Sequence, residues 1–518
     1  LGTKSYFCFF IFATFVAIST QKKMDIVGKL WSFCHKLRHD GVDSSDYIEQ
    51  LTYLLFLKMA DEKKIAVPES YDWQSLLSKK NEELAEHLEK ILQTLKTEKG
   101  ILGEIFAEPI ARIKNGIILK DLIKEIDDIH WTELDADIVG LAFEELIGKV
   151  ANEGKKGAGQ YFTPRPLIKT MVNVMQPNPF AKKAFKIADV ACGTAGFLTV
   201  ACEYIQKNQA KALEKIENQK RFAKQTFFGQ EIVQRPRRLA LMNLFLHGVD
   251  TSETISFGDS IENDLMPNDL DLILTNPPFG NKGAAPLNRK FPVKTSDKQL
   301  NFLQLIIEKL KNGGKAAVVL PDSCLSSQQA KKIWAYYLDK EQSGKNVCNL
   351  HTILKLPEGI FAAYANGVKA CVVFLEKGKP TKNVWIYDAR KNTEKITTRS
   401  NPLTEEHFTD FEVCFQKRKE NAIFKPHSFE EIQEKGFDLS FVEYTPPPPL
   451  PHPAFMIDQM VIYYQAKIDA LKELKSKLPP YNEDEYENGF LKTSQTLESQ
   501  EVKGNSKKSK RKSTNSLV

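Results

Sequence analysis

The stretch "FKIADVACGTAGFL", residues 185–198, decides which class of fold to expect. "FKIADV" is a short apolar run of strand type, and "ACGTAG" turns it within a few residues into the apolar start of a helix. Gly193 and Gly196 suit such a turn, because glycine accepts backbone angles barred to other residues and lets a ligand approach the main chain. The helix N-terminus that follows favours the negative end of that ligand. The alternation then repeats through "TFFGQEI" (226–232), "TISFGDS" (254–260), "LDLILTNP" (270–277), "KAAVVLP" (315–321), "LHTILKLP" (350–357) and "KACVVFLEK" (369–377), mostly with helical segments between. This is the pattern of an α/β fold, a doubly wound parallel sheet. Only a short Gly/Asn-containing loop separates the last two strands, which predicts an antiparallel pair at one edge; "NVWIYDAR" is a further strand-like piece.

Working outward, residues 24–150 read as an all-α domain. "SSDYIEQLTYLLFLKMADE" follows a Ser/Asp cap region, and "NEELAEHLEKILQTLKTE" and "DADIVGLAFEELIGK" space their apolar residues at three and four. The Gly-rich connector "NEGKKGAGQYFTPRP" opens the α/β domain, residues 151–443. "YTPPPPLPHP" (444–453) is a stiff polyproline spacer, and "FMIDQMVIYYQAKIDALKELKSKL" within 454–480 is one helix. Its apolar spacing suits a partner surface or packing on its own domain. Residues 481–518 read as a mostly disordered basic tail, either solubilising or a non-specific nucleic-acid contact.

The 518 residues carry a net charge of +6, but residues 24–500 hold 63 basic and 65 acidic groups, so the surplus lies at the two ends. Overall charge alone therefore does not predict DNA binding. Eight cysteines without a C-x-x-C pair point to reduced thiols in a cytoplasmic protein, and no metal site is readable. Residues 6–18 form an apolar run too short to span a membrane. Residues 1–23 read as a non-native or signal-like leader, from translated upstream DNA or a mis-set start in preference to an export signal, and Met24 opens the first amphipathic helix.

In a doubly wound sheet, ligands bind beyond the carboxyl ends of the strands. Asp189 closes the first. Glu231 closes the second, where two oxygens suit the hydroxyls of a ribose or simply face solvent. Asp259 closes the third and suits either an adenine amino group or a plain Gly-Asp turn. Cys192 reads as a small packing residue, since no local histidine partners it. The fourth strand runs into Asn276-Pro277-Pro278-Phe279. Two prolines cannot continue a ladder and hold their carbonyls in a rigid turn. The Asn276 side-chain oxygen and the Pro277 carbonyl can then accept both hydrogens of one planar amine, and Phe279 can stack on the ring that carries it.

"ADVACGTAGFL" followed by "LTNPPF", with "GQYFTP" (159–164) upstream, resembles the S-adenosylmethionine-dependent N6-adenine DNA methyltransferases in their gamma order of motifs. "LWSFCHKLRHDGVDSSDYIEQLTYLLFLKMADE", "GGKAAVVLPDSCL" and "LKLPEGIFAAYANGVKACVVFLEKGK" look more narrowly like the modification subunit of type I restriction-modification systems, over about residues 24–480. The resemblance implies a Rossmann-like methyltransferase domain with an all-α N-terminal domain and a C-terminal helix. It implies that Gln160, Tyr161, Phe162, Thr163 and Pro164 line the methionine portion of the cofactor, and that Asp189, Cys192, Gly193, Thr194, Ala195 and Gly196 form the main cofactor loop. Glu231 would hold the ribose, Asp259 the cofactor adenine, and Asn276, Pro277, Pro278 and Phe279 the target base. Ala195 stands where many amino-methyltransferases have glycine.

The implied partners are double-stranded DNA, a specificity subunit that reads the bases, a restriction subunit and a second copy of the chain, with no membrane and no metal. No G-x-x-x-x-G-K-[ST] loop encodes ATP-driven translocation. A protein-glutamine or ribosomal-RNA amino-methyltransferase, and a catalytically silent scaffold, are the alternatives.

Overall fold

The computed structural model describes residues 26, 28–38, 40–42, 46–131, 133–134, 146, 163–250, 254–280, 289–361, 367–397, 400–441 and 453–477. The leader, nearly all of "DADIVGLAFEELIGK", the connector through residue 162, the spacer up to residue 452 and the basic tail lie outside these residues. The chain divides into two units, Leu1–Phe441 and Val442–Val518.

In the first unit nine strands form one sheet in the order β3-β2-β1-β4-β5-β7-β6-β8-β9. They are β1 (Ile187–Asp189), β2 (Phe227–Glu231), β3 (Ile255–Phe257), β4 (Leu270–Thr275), β5 (Leu310–Pro321), β6 (Cys348–Lys355), β7 (Ala370–Lys377), β8 (Asn383–Asp388) and β9 (Phe424–Ser428). β3, β2, β1, β4 and β5 are mutually parallel, while β7 lies antiparallel between β5 and β6. Apolar residues face both ways because helices cover both sides. Along β4, β5 and β7, Leu272, Leu274, Ala317, Val319, Val372 and Phe374 join one core, and Ile273, Ala316, Val318, Leu320, Cys371 and Val373 join the other.

Two features of the sheet depart from the sequence reading. The β6–β7 pair is antiparallel as expected but is not the edge, because β8 adds parallel to β6 and β9 antiparallel to β8. β9, "FKPHS", gave no apolar alternation, and its Pro426 is tolerated because β9 is the last strand of the sheet.

The helical region comprises residues 28–38, Tyr47–Glu62, Trp73–Ser78, Asn81–Leu95, Ile101–Ile105 and Gly116–Asp127. Tyr47–Glu62 is its central helix, buried from Tyr47 to Ala60. Its buried polar groups are paired: Lys58 Nζ lies 2.8 Å from Asp127 Oδ1, and the Gln50 amide donates to the Ile110 carbonyl at 2.8 Å and accepts from the Arg112 N–H at 2.9 Å. Asp46, expected in the cap region, makes no side-chain cap hydrogen bond. Its carboxylate instead meets Arg235 at 2.6 Å and Arg112 at 3.4 Å. The seven described cysteines are free and buried.

The second unit contributes one described helix, Pro453–Ser476, with no buried residue. Among the described residues no helix is long and apolar enough to cross a membrane.

Candidate active site

The order β3-β2-β1-β4 lines up Asp259, Glu231, Asp189 and Asn276 along the carboxyl edge of the sheet. Side chains tie neighbouring strand ends together. Thr275, the last residue of β4, donates its hydroxyl proton to Asp189 Oδ1 at 2.6 Å, and the Ala191 N–H reaches the same oxygen at 3.1 Å. The Gly193 N–H donates to Glu231 Oε2 at 2.9 Å, and the Val233 N–H to Glu231 Oε1 at 2.9 Å. Ser260 Oγ donates to the Val190 carbonyl at 2.6 Å.

The loop after β1 uses two left-handed residues, Gly193 at φ +54° and Ala195 at φ +66°. A side chain at Gly193 would project into open space, so the glycine leaves room beside the Glu231 carboxylate. Ala195 is fully buried at the start of the helix Gly196–Asn208, in a conformation that costs a non-glycine residue about 1–2 kcal/mol. The Thr194 carbonyl accepts from Asn243 Nδ2 at 2.9 Å. At Gly196 a Cβ would come within 3.3 Å of Ile168, on the helix Arg165–Met175 that begins beside Thr163 and Pro164. Gln160, Tyr161 and Phe162 lie outside the described residues.

Burial pushes the Asp189 carboxyl up to about 7 and raises Glu231 in the same direction; the nearby Glu231 charge adds to the rise at Asp189. An aspartate raised in the folded state stabilises most while protonated. Its contribution is whole below about pH 4 and is lost as the pH rises through about 7. Between those limits the wild type is expected to lose on the order of 3 kcal/mol relative to Asp189→Asn, measured as urea midpoints at pH 4, 5.5 and 8. A constant gap would show that Asp189 is not buried as described.

Cys192 is buried and packs on β2. A Cβ at Gly229 would sit 3.1 Å from the Cys192 Cβ and 2.7 Å from Ile255 Cδ1. Burial drives the thiol well above its ordinary range, which suits packing and not nucleophilic attack. Asp259 Oδ1 accepts from the Ile261 and Glu262 N–H groups at 2.8 and 3.3 Å. The buried Gln230 braces the same loop, donating to the Asn263 carbonyl at 2.7 Å and accepting from the Leu265 N–H at 3.1 Å.

At the fourth strand end Asn276 Nδ2 donates to Thr163 Oγ1 at 2.8 Å. Asn276 Oδ1 is buried and has no hydrogen-bond partner. Pro277 is buried, Pro278 exposed and Phe279 half-buried, its ring edge-on to Phe361 with centroids 5.6 Å apart. Gln299 Nε2 donates to the Pro278 carbonyl at 2.7 Å. Thr275, Asn243, Gln230, Gln299 and Phe361 escaped the sequence reading. Only Thr275 carried a usable signal, its position next to Asn276.

A family model described as N-6 DNA Methylase matches residues 134–450, and one described as HsdM N-terminal domain matches residues 26–65. The chain belongs to the N-6 DNA methylase family. Membership makes this methylase an adenine-specific DNA methyltransferase. It is 38% identical over 417 residues to the type I restriction enzyme StySPI methylase subunit of Salmonella potsdam, covering 76% of each chain. It is also 38% identical, with the same coverage, to the EcoKI methylase subunit of Escherichia coli (strain K12). Its structure matches a chain solved in a study of assembly and conformational transition of the type I R-M system, with 26% identity, a TM-score of 0.68, and coverage of 87% of this methylase and 97% of that chain.

Proposed function

We propose that this methylase is the modification subunit of a type I restriction-modification complex and methylates N6 of an adenine flipped out of double-stranded DNA. The observation that carries the reading is the enclosed, unpartnered Asn276 Oδ1, one residue from the Pro277 carbonyl. An unpaired buried acceptor costs about 1–3 kcal/mol, so a fold that keeps one at a strand end is suited to a donor arriving from outside. An exocyclic amine brings two N–H groups. Accepting both draws the nitrogen lone pair out of ring conjugation and turns it toward the cofactor loop, while Phe279 offers a face on which the flipped base can stack.

The strand ends fit S-adenosylmethionine as methyl donor. Two carboxylates raised by burial, Asp189 and Glu231, favour a positively charged ligand, and Gly193 leaves open space for its approach. The donor supplies a methyl group carried on a positively charged sulfur. Glu231 holds the ribose and Asp259 the adenine, and Gln160 to Pro164 line the methionine portion. Glu231→Gln is expected to weaken donor binding about 10- to 100-fold, from 1.5–3 kcal/mol per charged hydrogen bond, as measured by calorimetry.

Base reading belongs to a specificity subunit, docked through the helical region, the helix Pro453–Ser476 or both. A second copy of the chain and a restriction subunit complete the complex, in the cytoplasm where host DNA lies. Co-expression with neighbouring genes, followed by mapping of N6-methyladenine in host DNA, tests the proposal. Methyl groups on adenines in one recurring sequence are expected. Transfer only to protein glutamine or ribosomal RNA, or to nothing, overturns it.

A further inference from the structure

We infer that Gln299 is a positioning residue for the catalytic turn, holding the Pro277 carbonyl in the direction that receives the target amine; this rests on the adenine reading above. Gln299 is buried and sits in the first turn of the helix Lys298–Lys309, which Asp297 caps through the Leu300 N–H at 3.0 Å. Its side-chain nitrogen donates to the Pro278 carbonyl at 2.7 Å and lies 3.4 Å from that of Gly280. One amide thus grips the turn beyond Pro277, at the carbonyls of Pro278 and Gly280.

The turn needs an external grip. Pro277 and Pro278 have no N–H, so the backbone cannot brace itself with the hydrogen bonds that ordinary turns use. The Pro278 ring locks φ, so the peptide planes on its two sides rotate against each other only through ψ. Holding the Pro278 carbonyl therefore restricts the plane that carries the Pro277 carbonyl. Asn276 is held separately, by Thr163 at 2.8 Å. The two acceptors for the target amine are each steadied by a different long-range side chain, and Gln299 serves the backbone one.

The experiment uses the co-expressed complex with plasmid DNA carrying its mapped site, and compares wild type with Gln299→Glu and Gln299→Asn. The first variant keeps the shape but removes the donor near neutral pH; the second keeps the amide but is one methylene short. For both, kcat is expected to fall about 10- to 100-fold, as for a reacting group misplaced by about 1 Å. KM for S-adenosylmethionine and Kd for DNA should stay within threefold. Equal kcat in all three proteins overturns the inference. So does a loss expressed in donor KM or melting temperature with kcat intact, which would assign Gln299 to the scaffold. If wild type itself methylates no adenine, the functional reading fails instead.

Discussion

Asn276→Ala is expected to lower kcat by about 10²–10³-fold, the range seen when one preorganised polar contact is removed from a reacting centre, while donor affinity stays within a few-fold. The acceptor lost, Oδ1, is the atom left without a partner in the folded chain. Removing it should not destabilise the protein. The truncation gives up the bond to Thr163 at 2.8 Å, a net loss of roughly 1 kcal/mol, and relieves an unsatisfied buried oxygen of similar or greater cost. A melting temperature unchanged or slightly raised, beside a nearly dead enzyme, is therefore the signature of a group retained for chemistry at the expense of stability. Asn276→Asp keeps an acceptor in place and should lose less. Single-turnover methyl transfer on site-bearing DNA checks all three proteins. Turnover by Asn276→Ala within threefold of wild type would remove Asn276 from the mechanism.

The parts of the site legible in the sequence are those whose chemistry is local. A strand ending in Asp189 and turning on Gly193, or one ending in Asn-Pro-Pro-Phe, announces its own geometry, because the strand period, the proline ring and glycine freedom act over a few residues; the second left-handed residue of the first turn is Ala195, where glycine freedom pointed to Gly196. Groups that act across the fold were silent. Gln299 meets Pro278 21 residues away, Thr163 meets Asn276 113 residues away, and nothing in the composition of either segment names its partner. Asp46 was legible only in part: the helix starts after it, as the Ser/Asp run suggests, but its carboxylate goes to two arginines in place of a cap bond. Glu231 lay between. Its strand-end position was readable, whereas its grip on the Gly193 N–H depends on the β1–β2 pairing.

Arg238→Met is expected to damage folding severely, costing about 3–5 kcal/mol. Arg238 and Glu49 are 1% and 7% exposed and form an ion pair between the helix Gln234–Leu246, which follows β2, and the central helix of the N-terminal region. The guanidinium also donates to the carbonyls of Ile105, at 2.7 Å, and Ala107, and lies 5.0 Å from the centre of the Tyr53 ring, whose hydroxyl donates to Glu49 at 3.1 Å. Methionine fills similar volume but leaves the Glu49 charge enclosed and those carbonyls without a donor. Arg235 and Arg237 flank the pair, with Arg235 reaching Asp46 and Arg237 reaching Glu104 and the Ile255 carbonyl. "QRPRRL" thus fastens the helical region to the element that begins three residues beyond Glu231. Pairing Arg238→Met with Glu49→Met should recover part of the loss, since two apolar groups bury without an orphaned charge. Urea denaturation of the two single variants and the double gives the coupling. Single and double variants whose losses simply add would show that the two side chains stabilise the junction independently.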